Sequence, residues 1–133
     1  ALHSELSLLT EDPTVETTLL IHPKTLLDFY DFNDFLSIAD DLVLDLALQG
    51  VVQIASFHPD YQFEGTAPDD IQNDTNRSPS PMLHLLREDS LARAIEAYPD
   101  VAQIPARNVA LMQSMGRSEV QALLARSAET NAT

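Results

Sequence analysis

Two short apolar runs in this chain end in the same dipeptide. ETTLLIHP occupies residues 16–23 and VVQIASFHP residues 51–59. Thr17 to Ile21 are all β-branched or leucine, and such a continuous run reads as a strand buried on both faces. Proline lacks the N–H a ladder needs and restricts the residue before it, so His22-Pro23 and His58-Pro59 close their strands. Between them lies a helical pattern. Thr25 is placed as its N-cap, with Asp28 three residues on, and the periodicity continues to about Leu48, where Gly50 ends it. Phe29, Phe32, Leu36, Ala39, Val43 and Leu46 fall on one face of that helix, with Asp31, Asp34, Asp41 and Asp45 opposite.

Strand, helix and strand in succession predict a βαβ unit with parallel strands and a right-handed connection. The expected fold is therefore α/β: a small parallel sheet flanked by helices, with a helical C-terminal part. Open α/β sheets bind ligands at the carboxyl edge of their strands. On this topology His22 and His58 become neighbours at that edge.

The segment from Phe57 to Glu88 is where chemistry concentrates. Residues 64–80 are rich in Asp, Asn, Ser, Thr and Pro, the composition of a long polar loop. Ser80-Pro81 then reads as N-cap and first residue of a helix running to about Tyr98. Its apolar stripe is Leu83, Leu86, Leu91, Ala94 and Tyr98, with Arg87 set into the stripe and His84 and Glu88 at its border. Two further helices follow, one opened by Pro105 and closed by Gly116 with Val109, Met112 and Met115 inward, the other near 119–127. The whole chain, 1–133, reads as one domain with a frayed tail over 128–133.

Charge limits the partners. The net charge is −14, and all of it falls on residues 1–76, where 15 acidic side chains face Lys24 alone. Such a surface repels phosphate backbones and anionic bilayers, so nucleic acid is excluded as a general partner. No apolar run approaches the length of a membrane span, and with no cysteine there are no disulfides and no thiolate chemistry. The simplest account of the acidic surface is a solvated face, with a basic protein partner as the alternative. The expected location is the cytoplasm, or an organelle lumen or matrix had a targeting segment preceded residue 1. The first ten residues, ALHSELSLLT, read as the last turns of a helix, which predicts an upstream segment.

No Walker loop, G-x-G-x-x-G, G-x-S-x-G, H-E-x-x-H or EF-hand pattern occurs. Three constellations remain. His22, His58, His84 and Glu88 are acceptable ligands for a divalent ion such as zinc, and His84 with Glu88 at i, i+4 would share a helical side. The strongest set for a metal is His58, His84 and Glu88. Asn76-Arg77-Ser78 before a helix N-terminus, with Arg87, would form an anion pocket, lined further by His22 and Tyr61. Against it stands a purely structural role, with Arg87 pinning the loop through Asp60 or Asp74. In an acid–base reading, His58 or His84 is the base, Tyr61 or Glu88 the acid, and Arg77 or Arg87 the oxyanion partner. Catalytic candidates are thus His58, His84 and Arg87, and ligand-binding candidates His22, Tyr61, Asn76, Arg77 and Ser78. The functional expectation is a small-molecule domain, for an anion or a metal, binding or enzymatic. The alternative is a non-catalytic assembly subunit that meets a protein partner through its acidic helix.

The strings ETTLLIHP, DFNDFL, GVVQIASFHPDYQF and TNRSPSPMLHLLRE together resemble a mainly bacterial family catalogued as domain of unknown function 1415, over about Glu16 to Ile104. Members usually begin with a further helix, a Cys-Pro-Phe segment and a strand–helix pair, and tend to carry Tyr where this chain has Ser80. The resemblance implies an α/β fold and marks the loop as the signature region. It brings no activity with it.

Overall fold

The computed structural model describes residues 1–131, so the last two residues of the expected frayed tail, 132 and 133, lie outside it. The chain forms α1 (Leu2–Glu11), β1 (Thr17–Ile21), α2 (Phe29–Asp45), β2 (Val52–Phe57), β3 (Met82–Arg87), α3 (Glu88–Ala97), α4 (Ile104–Met115) and α5 (Arg117–Asn131). Short 3₁₀ turns at Ile71–Asn76 and Val101–Gln103 interrupt the connections. No helix is long and apolar enough to cross a membrane among the described residues.

The expected parallel βαβ sheet is not what forms. The sheet has three strands in the order β1-β3-β2, and β3 runs antiparallel to both neighbours. β1 and β2 do share a direction, with α2 crossing between them, but β3 occupies the slot where they would have met. The stretch behind this difference is MLHLLR, which the helical stripe had claimed. Leu83 and Leu85 are fully buried, while Met82, His84 and Leu86 lie on the opposite face: a period of two, not of 3.6. In a short apolar run both periods fit, and the unpaired edges of β1 and β2 decide in favour of the strand. The helix begins only at Glu88, whose acidic first turn with Asp89 suits an N-terminal dipole.

One face of the sheet, the inner one, carries the core. Leu83 and Leu85 meet Leu6 and Leu9 of α1, Phe32 and Val43 of α2, and Val52 of β2. The predicted α2 stripe is the one that packs: Phe32, Ala39 and Val43 are buried, and Phe29, Leu36 and Leu46 close over them.

Both ends of α2 differ in detail from the sequence signals. Asp28, not Thr25, is the N-cap, accepting from the N–H groups of Tyr30 at 2.9 Å and Asp31 at 3.0 Å. At the other end Ala47 takes the left-handed conformation (φ 57°), Leu48 N–H donates to Val43 O at 2.9 Å and Ala47 N–H to Leu44 O at 3.0 Å. That is a Schellman stop with alanine where glycine is usual. Gly50 (φ 80°) serves instead in the turn into β2.

Candidate functional site

Residues 58–80 fold back on themselves and are held by their own side chains. His58 is fully buried at the end of β2. Asp60 N–H donates to its Nδ1 at 3.0 Å, which leaves Nε2 as the protonated nitrogen, donating to Leu26 O at 2.9 Å. The ring packs against Phe29 and Phe32, with centroids 5.3 and 4.9 Å away. Both nitrogens are occupied, and His58 ties the loop to the start of α2.

Asn73, which the sequence did not single out, is the hub of the loop. It is fully buried, and its Oδ1 accepts from Phe63 N–H at 2.9 Å and Thr66 Oγ1 at 3.0 Å, while Nδ2 donates to Ala67 O at 2.9 Å. Its one hint in the sequence is an amide in a loop long enough to need an interior. Asp74, which the sequence offered as an anchor for Arg87, is its buried neighbour and pairs with Arg77 instead. Arg77 donates in three directions: Nη1 to Asp74 Oδ1 at 3.0 Å, Nε to Tyr61 O at 3.2 Å and Nη2 to Pro68 O at 2.6 Å. Asn76 Nδ2 donates to Ser56 O at 3.1 Å, and Ser78 Oγ to Ser80 O at 2.6 Å. Tyr61 packs between Phe29 and Phe63, its ring tilted against the first and edge-on to the second. Asp74 Oδ2 is buried with no hydrogen-bond partner among the described residues, as is His22 Nε2.

The other candidates lie elsewhere. His22 sits at the end of β1, its N–H donating to Pro81 O at 2.8 Å and its ring edge-on to Phe35. It and His58 flank the start of β3 rather than touching, two strand spacings or roughly 10 Å apart. His84 lies on the outer sheet face. Thr17 Oγ1 donates to Leu85 O at 2.8 Å, so it accepts from His84 Nε2–H at 2.6 Å. His84 and Glu88 share no helical side, because the chain between them is strand; the i, i+4 chelate is overturned with the helix that carried it. Arg87 ends β3 and reaches away from the loop, donating from Nη2 to Leu9 O at 2.9 Å and Asp12 O at 2.5 Å. It closes the C-terminal end of α1, where carbonyls are unsatisfied and the dipole is negative. The loop-pinning role considered for Arg87 falls to Arg77. No group of three or more His, Asp or Glu residues that could hold a metal ion occurs among the described residues.

One ionisation is displaced. Hydrogen bonds from the Thr14 hydroxyl and then the Thr14 N–H hold the Asp12 carboxyl below its ordinary value of 3.8, with Arg87 adding a smaller attraction.

An apolar cleft lies beside the loop. About 630 Å³ opens between the outer sheet face and the α4–α5 pair. Its floor is Leu19, Phe57, Met82 and His84, its far wall Met112, Met115 and Leu124, and its rim the loop residues Asp74, Thr75, Arg77 and Ser78. Arg117 of α5 donates to Asp69 O and so fastens the far wall to the loop.

No curated protein and no solved structure matches this chain. The family described as "Protein of unknown function (DUF1415)" does, over residues 1–122, beyond both ends of the span from Glu16 to Ile104. The chain belongs to the DUF1415 family.

Proposed function

We propose that this domain binds a small, predominantly apolar molecule in the cleft between the outer sheet face and α4–α5. The observation that carries the proposal is the cleft itself, about 630 Å³, with leucine, methionine and phenylalanine on its floor and far wall and polar side chains from the loop, the sheet and both helices set among them. Ligand sites are typically of this size and composition. The self-bonded loop then acts as a rigid rim. Each of the three side-chain nitrogens of Arg77 already donates within the loop and so stabilises the rim, and the ligand's polar group meets His84 or the rim instead. Binding rather than turnover fits the geometry, since Ser78 Oγ bonds to a carbonyl and not to a histidine.

The chain has no tryptophan, so Met112→Trp both fills the cleft and supplies a fluorescent reporter. Titration with small apolar probes such as indole or naphthol should show saturable binding to the native protein. Met112→Trp should weaken it at least tenfold at unchanged thermal stability. Absence of saturable binding up to millimolar concentrations would remove the reading.

A second reading, a protein-binding subunit, is favoured by the outward face of α2. There Tyr30, Ile38 and Leu44 stand exposed among Asp34, Asp41 and Asp45, a surface suited to a basic amphipathic helix. Fluorescence anisotropy with a basic amphipathic peptide tests it. Affinity that ignores both Tyr30→Ala and salt would count against it.

A further inference from the structure

The two outer edges of the sheet differ. In an antiparallel ladder, residues alternate between bonding the neighbour and pointing their N–H and C=O the other way. His22 N–H bonds to Pro81 O, so on β1 Thr18 and Leu20 also bond to β3. Thr17, Leu19 and Ile21 therefore turn their backbone groups outward. On β2, Glu88 N–H bonds to Val51 O, which leaves Val52, Ile54 and Ser56 outward.

The outer edge of β2 is tied down at both ends, and no backbone hydrogen bond reaches the outward groups of Ile54 between them among the described residues. Val52 N–H bonds to Leu48 O at 3.0 Å, and Ser56 O accepts from Asn76 Nδ2 at 3.1 Å. Just past the strand, His58 N–H bonds to Asn76 O at 3.2 Å. On β1 no backbone hydrogen bond reaches the outward groups of Thr17, Leu19 or Ile21 among the described residues. Nor does β1 carry the usual protection of an open edge. Thr-Thr-Leu-Leu-Ile holds no proline, no charge and no bulge, and Leu19 and Ile21 are 54% and 53% exposed.

We infer that the open edge of β1 pairs with β1 of a second copy of this chain, antiparallel and centred on Leu19. The strand is complementary to itself in that register. Leu19 meets Leu19, and Thr17 meets Ile21, so every outward N–H and C=O finds its counterpart. One residue further out, Glu16 of each copy lies opposite His22 of the other, a carboxylate beside an imidazole on the inner face. Exposed apolar side chains at 19 and 21 line up across the junction. Leu19 also floors the cleft, so the second copy's strand extends that floor.

Sedimentation velocity of the full chain over a micromolar concentration series should show a monomer–dimer equilibrium. Leu19→Pro removes an N–H that β3 does not use and keeps the internal ladder. It should weaken dimerisation at least tenfold while leaving the far-UV spectrum and melting temperature near those of the parent. Because the chain contains no cysteine, Leu19→Cys gives a clean crosslink across the axis. Facing residues of a bonded antiparallel pair lie about 5.5 Å apart at Cα, within disulfide reach. Mild oxidation should yield a covalent dimer from Leu19→Cys and none from Gln53→Cys on β2. This crosslink decides the matter should Leu19→Pro fail to fold. A monomer throughout the series with no excess crosslinking at 19 overturns the inference. So does a dimer that Leu19→Pro leaves intact, or an unrelated extended peptide that seats on β1 while the chain itself stays monomeric.

Discussion

Arg77 Nη1 lies 3.0 Å from Asp74 Oδ1, an ion pair whose side chains are only 13% and 6% exposed. The same guanidinium reaches Tyr61 O and Pro68 O, so one side chain gathers three turns of the loop. Removing it strands a buried carboxylate along with two carbonyls. Arg77→Ala is therefore expected to cost about 3 kcal/mol, read from urea unfolding. Arg77→Lys should recover less than half of that loss, because an ammonium cannot donate along three fixed directions.

His58→Phe keeps the ring volume against Phe29 and Phe32 but leaves Leu26 O and the Asp60 N–H without their partner. A destabilisation of about 2 kcal/mol is expected by chemical denaturation. Amide exchange at Asp60 should rise more than exchange in β3.

Ala47→Gly should stabilise the protein by about 0.5–1 kcal/mol. Release of the left-handed strain outweighs the added freedom of the unfolded chain. The same substitution at Ala39, buried in the middle of α2, should be destabilising. The pair of melting curves checks the Schellman stop directly.

Asp12 sets part of the acid limb of stability. Its folded-state value lies below the unfolded one through Thr14, so its contribution is present above the ordinary value of 3.8 and is lost as pH falls through the folded value. Asp12→Asn should remove that pH-dependent contribution, and Thr14→Ala should reduce it. Midpoints of urea unfolding between pH 2 and 6 measure the difference.

Neighbouring residues of β3 should behave very differently. Leu83→Ala opens the inner core and should cost about 3 kcal/mol. Met82→Ala, on the cleft side, should cost about 1 kcal/mol. Equal losses at the two positions would contradict the alternation.

What the sequence revealed depended on whether a pattern had one physical solution. The stripe from Phe29 to Leu46 fits only a helix over its length, and it packs as read. MLHLLR is six residues long, and over so few positions the helical period (Leu83 and Leu86 inward) and the strand period (Leu83 and Leu85 inward) differ by a single leucine. The choice was made by edges contributed from residues 17–21 and 52–57, which no local window contains. The loop was visible as polar chain, but its internal order was not. Arg77 and Arg87 are equivalent as letters, and only the fold sends one to Asp74 and the other to the end of α1. Asn73 carries no mark separating it from Asn76 until the loop closes around it.

The central place of β3 has a consequence for the order in which the chain can fold. β1 and β2 make no ladder with each other, and both depend on residues 82–87 for all their sheet hydrogen bonds. Before residues 82–87 emerge, residues 1–81 can therefore build helices and a collapsed apolar cluster but no ladder among themselves like that of the native sheet. Pairing must wait for the keystone strand, and its contacts to β1 span more than sixty residues. Until then two apolar edges stand open at once, and in that interval the nascent chain is most exposed to wrong partners.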